Sequence, residues 1–439
     1  MRVLWVCNIM LPVIARHLGL EASNKEGWLS GLADSILDRQ QENGIELAVA
    51  FPVEEEKDGY KDKIFLENGS SLTCYGFYED IAHAEIYHRE LEGKIDVILK
   101  DFAPDVIHCF GTEYGHAMAV TKVCERRERV LLGLQGLCSV CADAYMASLP
   151  RKVRKSVTLR DLLKKDNLYQ QREKFAIRGM REIEAIKGAG NITGRTKWDH
   201  YYAKGWNPGA EYFTMNETLR SCFYEGQWDA SKCEKGRIFI SQGDYPLKGL
   251  HYMLLALADI RRHFPQVKVC VAGSSLVEDK TLKDRLKRSA YGRYLKQIIR
   301  KNHLKDHVEF LGRLSAQQMK EQYLKAEIFV CCSSLENSPN SLGEAMILGV
   351  PCISADVGGI PSLFRDGVDG LLYMGFSKDG RPPLEEIVLN LKSAVFKMLS
   401  NPERMAYYSK NARYHALETH DREANYSRLL EIYAEIARK

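Results

Sequence analysis

SSLENSPNSLGEAMILGVPCISADVGGIPSLF, residues Ser333 to Phe364, carries two glutamates eight positions apart, Glu336 and Glu344. The run before it, AEIFVCC, is apolar and reads as a buried parallel strand, so Leu335 to Asn340 falls at that strand's carboxyl end. SLGE then reads as a capping box, with Ser341 as N-cap and Glu344 at the third helical position. Under that reading Glu344 returns to the cap amide and Glu336 is a solvated loop residue. Ser315 with Gln318 shows the same pattern. The competing reading makes the two glutamates walls of one ligand site. A helix N-terminus at a strand's carboxyl end presents N–H groups to an anion such as a diphosphate. After the helix come a Gly stop at Gly349, a short buried strand and a Gly-Gly loop, where Gly358 and Gly359 let backbone approach the same place.

Outward from this stretch, short β-branched runs alternate with amphipathic ones. The strands expected in the first half are Val3–Cys7, Ile45–Phe51, Asp105–Phe110, Val130–Gln135 and Tyr212–Met215. Those in the second are Arg237–Ser241, Val267–Ala272, Val308–Leu311, Ile328–Ser333 and Val350–Ser354. Helices are expected over Trp28–Gln40, Ile81–Lys100, Leu250–His263, Tyr294–Asn302 and Ala316–Lys325. Strand–helix alternation implies an α/β protein of parallel sheets covered by helices. Two doubly wound domains facing across a cleft follow, residues 1–223 and 236–416, divided near the polar stretch Tyr224 to Arg237. The final helix, 417–439, is expected to pack back on the first domain. Ligands of such domains bind at the carboxyl ends of strands.

At 439 residues the chain is too long for one ordinary core. Hydrophobic content of 45% and charged content of 27% describe a soluble globular protein. A net charge of +4 is too weak to argue for nucleic acid. No run of apolar residues is long enough to span a bilayer. MRVLWVCNIMLP resembles a weak signal peptide, but Asn8 and Pro12 interrupt it, and a buried first strand is the reading adopted. Twelve cysteines, several in apolar runs, read as buried, reduced thiols of a cytoplasmic protein. Cys138 and Cys141 form a lone C-x-x-C without partners at zinc spacing, so no metal is expected.

The E-x7-E pair followed by EAMILGVPCISADVGGIPSLFRDGVDGLLY resembles the nucleotide-sugar site of retaining family-4-type glycosyltransferases of GT-B fold. SQGDYPLKGLHYMLLAL is similar to that family's phosphate-binding turn, and PDVIHCFGTEYGHAMAV to its acceptor-side domain. The resemblance covers nearly the whole chain and is strongest from Arg237 to Tyr373. It implies that Glu344 binds ribose hydroxyls and that Glu336 stands near the donor sugar. Amides around Asn340, Ser341 and Leu342 would face sugar and diphosphate. Lys248 takes the place of the phosphate lysine, Gly27 lies in the glycine loop near the donor, and Gly312 and Arg313 lie in the base-contacting loop. The family's phosphate arginine is Gly243 here, with Arg195 a substitute cation from across the cleft. The family's H-x-H is His108-Cys109-Phe110, which leaves His108 or His116 as the catalytic histidine. The E-G-F-G that often follows the first glutamate is Glu336-Asn337-Ser338-Pro339.

Glycosyl transfer breaks the bond between the anomeric carbon and phosphate, and negative charge grows on the leaving diphosphate. No D-x-D occurs to hold a metal against that charge, whereas a helix dipole, amides and lysine do occur. The expectation is a metal-independent transfer without cofactor, retention being implied by the family alone. The product class implied is a bacterial surface polysaccharide, and the acceptor a glycan or lipid-linked glycan. A catalytically silent binder of nucleotide sugar or glycan and a GT-B-fold nucleotide-sugar epimerase are the alternatives. LPRKVRKSVTLRDLLKKD, Leu149 to Asp166, carries seven Lys/Arg against two Asp with Leu and Val interleaved. It fits either a solvated helix face or a peripheral contact with an anionic membrane.

Overall fold

Val3, Leu4, Trp5 and Val6 have no exposed surface, because β1 (Arg2–Val6) lies between two parallel neighbours at the centre of a sheet. The structure, a computed structural model, describes residues 1–20, 27–277, 281–376 and 382–439. The chain divides into two units.

The first unit comprises Met1–Val140, Lys174–Arg220 and His420–Lys439. Its other strands are β2 (Glu46–Val53), β3 (Lys61–Phe65), β4 (Ser71–Tyr78), β5 (Val106–Phe110), β6 (Val130–Gly133), β7 (Asn191–Gly194) and β8 (Glu211–Thr214). They pair in the order β3-β4-β2-β1-β5-β6-β7-β8. All pairs are parallel except β3 with β4 at the edge. The helix Arg422–Ala437 closes this unit. Leu429, Ile432, Tyr433 and Ile436 on it are fully buried, at turn-by-turn spacing. Each such side chain contributes about 1.5–3 kcal/mol.

The second unit comprises Cys141–Glu173 and Ser221–Thr419. Its strands are β9 (Arg237–Ile240), β10 (Lys268–Ala272), β11 (Val308–Gly312), β12 (Ile328–Cys331), β13 (Cys352–Asp356) and β14 (Gly370–Met374). They form one parallel sheet in the order β11-β10-β9-β12-β13-β14. The order reverses between β9 and β12, which places the topological switch point at their carboxyl ends.

The continuous 1–223 block read from the sequence is interrupted, since residues 141–173 belong to the second unit. Three anchors account for this. The Ala147 carbonyl accepts hydrogen bonds from His251 Nε2 at 2.9 Å and from the Tyr252 hydroxyl at 2.7 Å. Asp161 Oδ2 accepts the Ala290 amide at 3.0 Å. Burial holds His251 neutral, its pKa pushed down to about 4, so the ring serves as a structural donor.

Candidate functional site

At the second unit's switch point a lysine and a glutamate meet. Lys248 ends the short turn Pro246–Lys248 that follows β9, and Glu336 lies in the loop after β12. Lys248 Nζ donates to Glu336 Oε1 at 2.5 Å, and Ser333 Oγ donates to the same oxygen at 2.7 Å. Burial opposes the Lys248 charge. The Glu336 carboxylate outweighs it, with help from Tyr245, and holds the lysine above its ordinary pKa. Backbone fixes the pair as well: the Ser334 amide donates to the Leu247 carbonyl at 2.7 Å, and Cys332 Sγ to the Lys248 carbonyl at 3.3 Å.

Two glycines permit this approach. Gly249 is left-handed at φ +67°, and a Cβ there would stand 1.8 Å from the Cys332 carbonyl oxygen. Gly358, at φ +56°, comes so close that a Cβ would meet the Glu336 carbonyl oxygen at 2.0 Å. The Gly359 amide donates to that oxygen at 2.9 Å. The Gly-Gly loop therefore braces the backbone of Glu336 itself.

The expected capping box at Ser341 does not form. The helix Asn340–Leu348 has Pro339 as N-cap, with no side-chain cap bond. The Pro339 carbonyl already accepts the amides of Leu342 at 3.0 Å and Gly343 at 3.4 Å, so Ser341 is inside the first turn. Glu344 sits at the fifth helical position and is buried. Ser315 and Gln318, with the same local pattern, do form a reciprocal capping box. At the far end Gly349 stops the helix in the left-handed conformation, its amide bonded to the Ala345 and Met346 carbonyls.

Gly243 has no room for an arginine: a Cβ would meet Leu250 Cδ2 at 2.7 Å and Val271 Cγ1 at 3.0 Å. Gly312 ends β11 at the edge of the sheet, two strands from β9, and Arg313 beside it is exposed. Topology thus unites Lys248, Glu336 and the start of the Asn340–Leu348 helix, with Gly312 and Arg313 farther along the same sheet end.

The first unit has its own switch point, between β1 and β5. The helix Gly115–Val123 follows β5 there, and His116 is its second residue. His116 is 1% exposed. Its Nδ1 lies 2.6 Å from Glu79 Oε2, while Glu79 Oε1 accepts the Gly115 amide at 2.7 Å. Burial would raise the Glu79 pKa; the His116 charge and these bonds outweigh it and hold the pKa below the ordinary range. Sequence reasoning missed Glu79. Its signal is its position just after β4, a strand read there as no element at all.

His108 is a core residue of β5. The Tyr433 hydroxyl accepts Trp5 Nε1–H at 2.9 Å and donates to His108 Nδ1 at 2.7 Å. Burial pushes the His108 pKa down to about 3, so the ring stays neutral. His108 and His116 are thus both buried and both hydrogen-bonded, His108 to Tyr433 within the sheet core and His116 to Glu79 at the start of its helix.

Arg195 is corrected as a spare cation. Its Nη1 bonds Glu217 Oε2 at 2.9 Å within the first unit, where both residues are buried. Gly27, expected in a glycine loop, is instead the first residue of the helix Gly27–Asp38, and a separate helix, Pro12–His17, follows β1. A Cβ at Gly27 would lie 2.0 Å from Arg220 Cγ, so this glycine makes room for an arginine side chain.

A further buried acid went unread. Glu182, on the helix Leu168–Gly188, accepts Thr112 Oγ1 at 2.8 Å beneath the β5 loop. Burial pushes its pKa up to about 7.

Residues 227–415 match the family Glycosyl transferases group 1. Spore coat protein SA of Bacillus subtilis is 29% identical over 132 residues, 30% of this chain and 33% of that protein. The chain spans about a third of the length of the curated relatives it matches. Sucrose-phosphate synthase from Thermosynechococcus elongatus is similar in structure, with TM-score 0.69 at 14% identity and 99% of each chain covered. Anabaena HepE, solved in complex with UDP and glucose, gives TM-score 0.64 at 14% identity over 99% of this chain and 100% of that one. At these identities the likeness shows the fold: two Rossmann-like α/β domains of the GT-B kind.

Proposed function

We propose that this chain is a glycosyltransferase that moves a hexosyl unit from a nucleotide-diphosphate sugar to a glycan or lipid-linked glycan. The reading includes retention of anomeric configuration, independence of metal, a surface-polysaccharide product and a cytoplasmic site of action. Retention and the product class rest on the family resemblance, metal independence on the absence of a D-x-D, and the site of action on the reduced cysteines. The observation that carries the activity is the Lys248–Glu336 pair at the switch point, inside the stretch that matches the group 1 family. The similarity to a protein solved with UDP and glucose supports a nucleotide-sugar donor.

In this mechanism charge growing on the leaving diphosphate meets Lys248 and the amides at the start of the Asn340–Leu348 helix. Glu336 holds the lysine charged and in place before donor arrives, so little reorganisation remains for the transition state. Glu344 takes the ribose hydroxyls. His116 takes the family histidine's role, with Glu79 fixing its ring and leaving Nε2 to face the sugar.

Thermal melts against UDP-, GDP- and ADP-sugars test the reading. A donor at a hundredfold its dissociation constant adds about 2.7 kcal/mol. Stabilisation by one donor class, with slow release of free sugar, supports a transferase. Stabilisation without any turnover, with or without acceptor glycans, would leave the silent binder standing.

A further inference from the structure

The helix Leu159–Leu163 is turned inside out. Leu159, Leu162 and Leu163, at i, i+3 and i+4, share one face. They are 53%, 68% and 75% exposed, and Val157 just before them is 49% exposed. The acid of the same helix points inward. Asp161 is 1% exposed, and its Oδ2 accepts the amides of Thr158 at 3.1 Å and Ala290 at 3.0 Å. A surface helix of a water-soluble protein presents the opposite arrangement.

This is a built element. Thr158 and Asp161 form a reciprocal capping box, and Asp161 ties the helix to the start of the helix Ala290–Lys301. Charge is sorted with equal care. Arg160 Nη1 bridges Asp161 at 3.2 Å and Asp166 at 2.9 Å, which uses up both acids of the segment. Arg151, Lys152, Lys155, Lys164 and Lys165 remain exposed, with no carboxylate at ion-pair distance among the described residues. Four exposed aliphatic side chains are thus framed by five cations.

We propose that residues 151–165 dock on an anionic lipid bilayer, the leucines entering the interfacial layer and the flanking cations meeting lipid phosphates. A solvated face needs no leucines, and an apolar protein partner leaves five cations unmatched. An anionic membrane surface satisfies both sets of groups. Among the described residues no helix is long and apolar enough to cross a membrane, so the contact is peripheral. The proposal stands independently of the donor site.

Co-sedimentation with vesicles of phosphatidylglycerol and phosphatidylcholine tests it, with pure phosphatidylcholine as control. The wild type is expected to pellet only with the anionic vesicles and to be released by high salt. Leu162→Ser/Leu163→Ser and Lys152→Glu/Lys155→Glu should each lower the bound fraction about tenfold. All four positions are exposed, so melting temperature and donor-induced stabilisation should match the wild type. Absence of anionic-lipid pelleting at low salt overturns the proposal. So does unchanged pelleting of the leucine variant. Light scattering provides a third arm: if the leucine variant turns a wild-type dimer into a monomer while vesicles bind neither, the face is a self-interface and the proposal fails.

Discussion

Lys248 Nζ stands 2.5 Å from Glu336 Oε1, and the two residues come from the ends of β9 and β12, strands that adjoin where the sheet order reverses. The ion pair places a charged lysine at the point where a doubly wound domain binds its ligand. No arginine stands at the position where one was expected, which is Gly243. Gly243 is closed in by Leu250 and Val271, so the cation at this end of β9 is Lys248.

Lys248→Ala should lower kcat/KM by about 10- to 150-fold, the worth of a charge-assisted hydrogen bond of about 1.5–3 kcal/mol. Part of the loss should fall on kcat, because phosphate charge grows toward the transition state. Lys248→Arg should recover some activity but not all, since a planar fork does not put charge where an ammonium does. Steady-state kinetics in the presence of chelator decides. Near-normal efficiency of the alanine variant, or loss of wild-type activity to chelator alone, contradicts the mechanism.

Glu344→Gln should weaken nucleotide-diphosphate binding and leave the fold intact. The capping role that competed for this side chain is gone, because Pro339 is the N-cap and Glu344 is the fifth residue of the helix, beyond its first turn. An amide loses the charge-assisted part of a ribose contact, which is about twice as strong as its neutral counterpart. Calorimetric titration measures this, and an unchanged dissociation constant removes Glu344 from the site.

Gly249→Ala should destabilise by about 2–5 kcal/mol, combining left-handed strain with overpacking against the Cys332 carbonyl. Gly312→Ala is the matched control: its φ is +75°, yet nothing lies within 4 Å of a Cβ there. It should lose only about 1 kcal/mol. Denaturant melts compare the two. Equal losses would show that conformation alone, and not close approach, governs Gly249.

Glu182→Gln should change stability in a pH-dependent way. The folded pKa of Glu182 is raised by burial to about 7, against about 4.3 unfolded. The folded state therefore binds more protons between these values, and stability is lost as pH rises from about 4 to about 7. The variant lacks this loss, so it should gain on the wild type through that window and hold the gain above it. Chemical denaturation at about pH 4, 5.5 and 8 follows the difference; a flat difference means that Glu182 is charged when folded.

The sheets were largely legible because a parallel strand buried on both faces is a near-continuous apolar run. The helices Leu250–His263 and Ala316–Lys325 were legible to the residue, since each keeps an apolar face at helical spacing. β3, β4, β7 and β14 were not. β3 is the antiparallel edge strand, where Lys61, Asp62 and Lys63 dilute the pattern, and β7 has only four residues. The Ser315 cap was readable and the Ser341 cap was not, although both show the same four-residue spacing, because Pro339 begins the helix two residues early.

The sequence by itself determined the α/β class, the doubling of the fold and the stretch that holds Glu336 and Glu344, because each is written in spacing over a few turns or strands; Lys248 was singled out by the family resemblance. Only the tertiary structure decided which charge meets which. Glu336 finds Lys248 at a separation of 88 residues, His116 finds Glu79 at 37, and Asp161 finds the Ala290 amide at 129. A buried charge is stable only beside its partner, and that partner is fixed by the order of strands across a sheet, which no local pattern records.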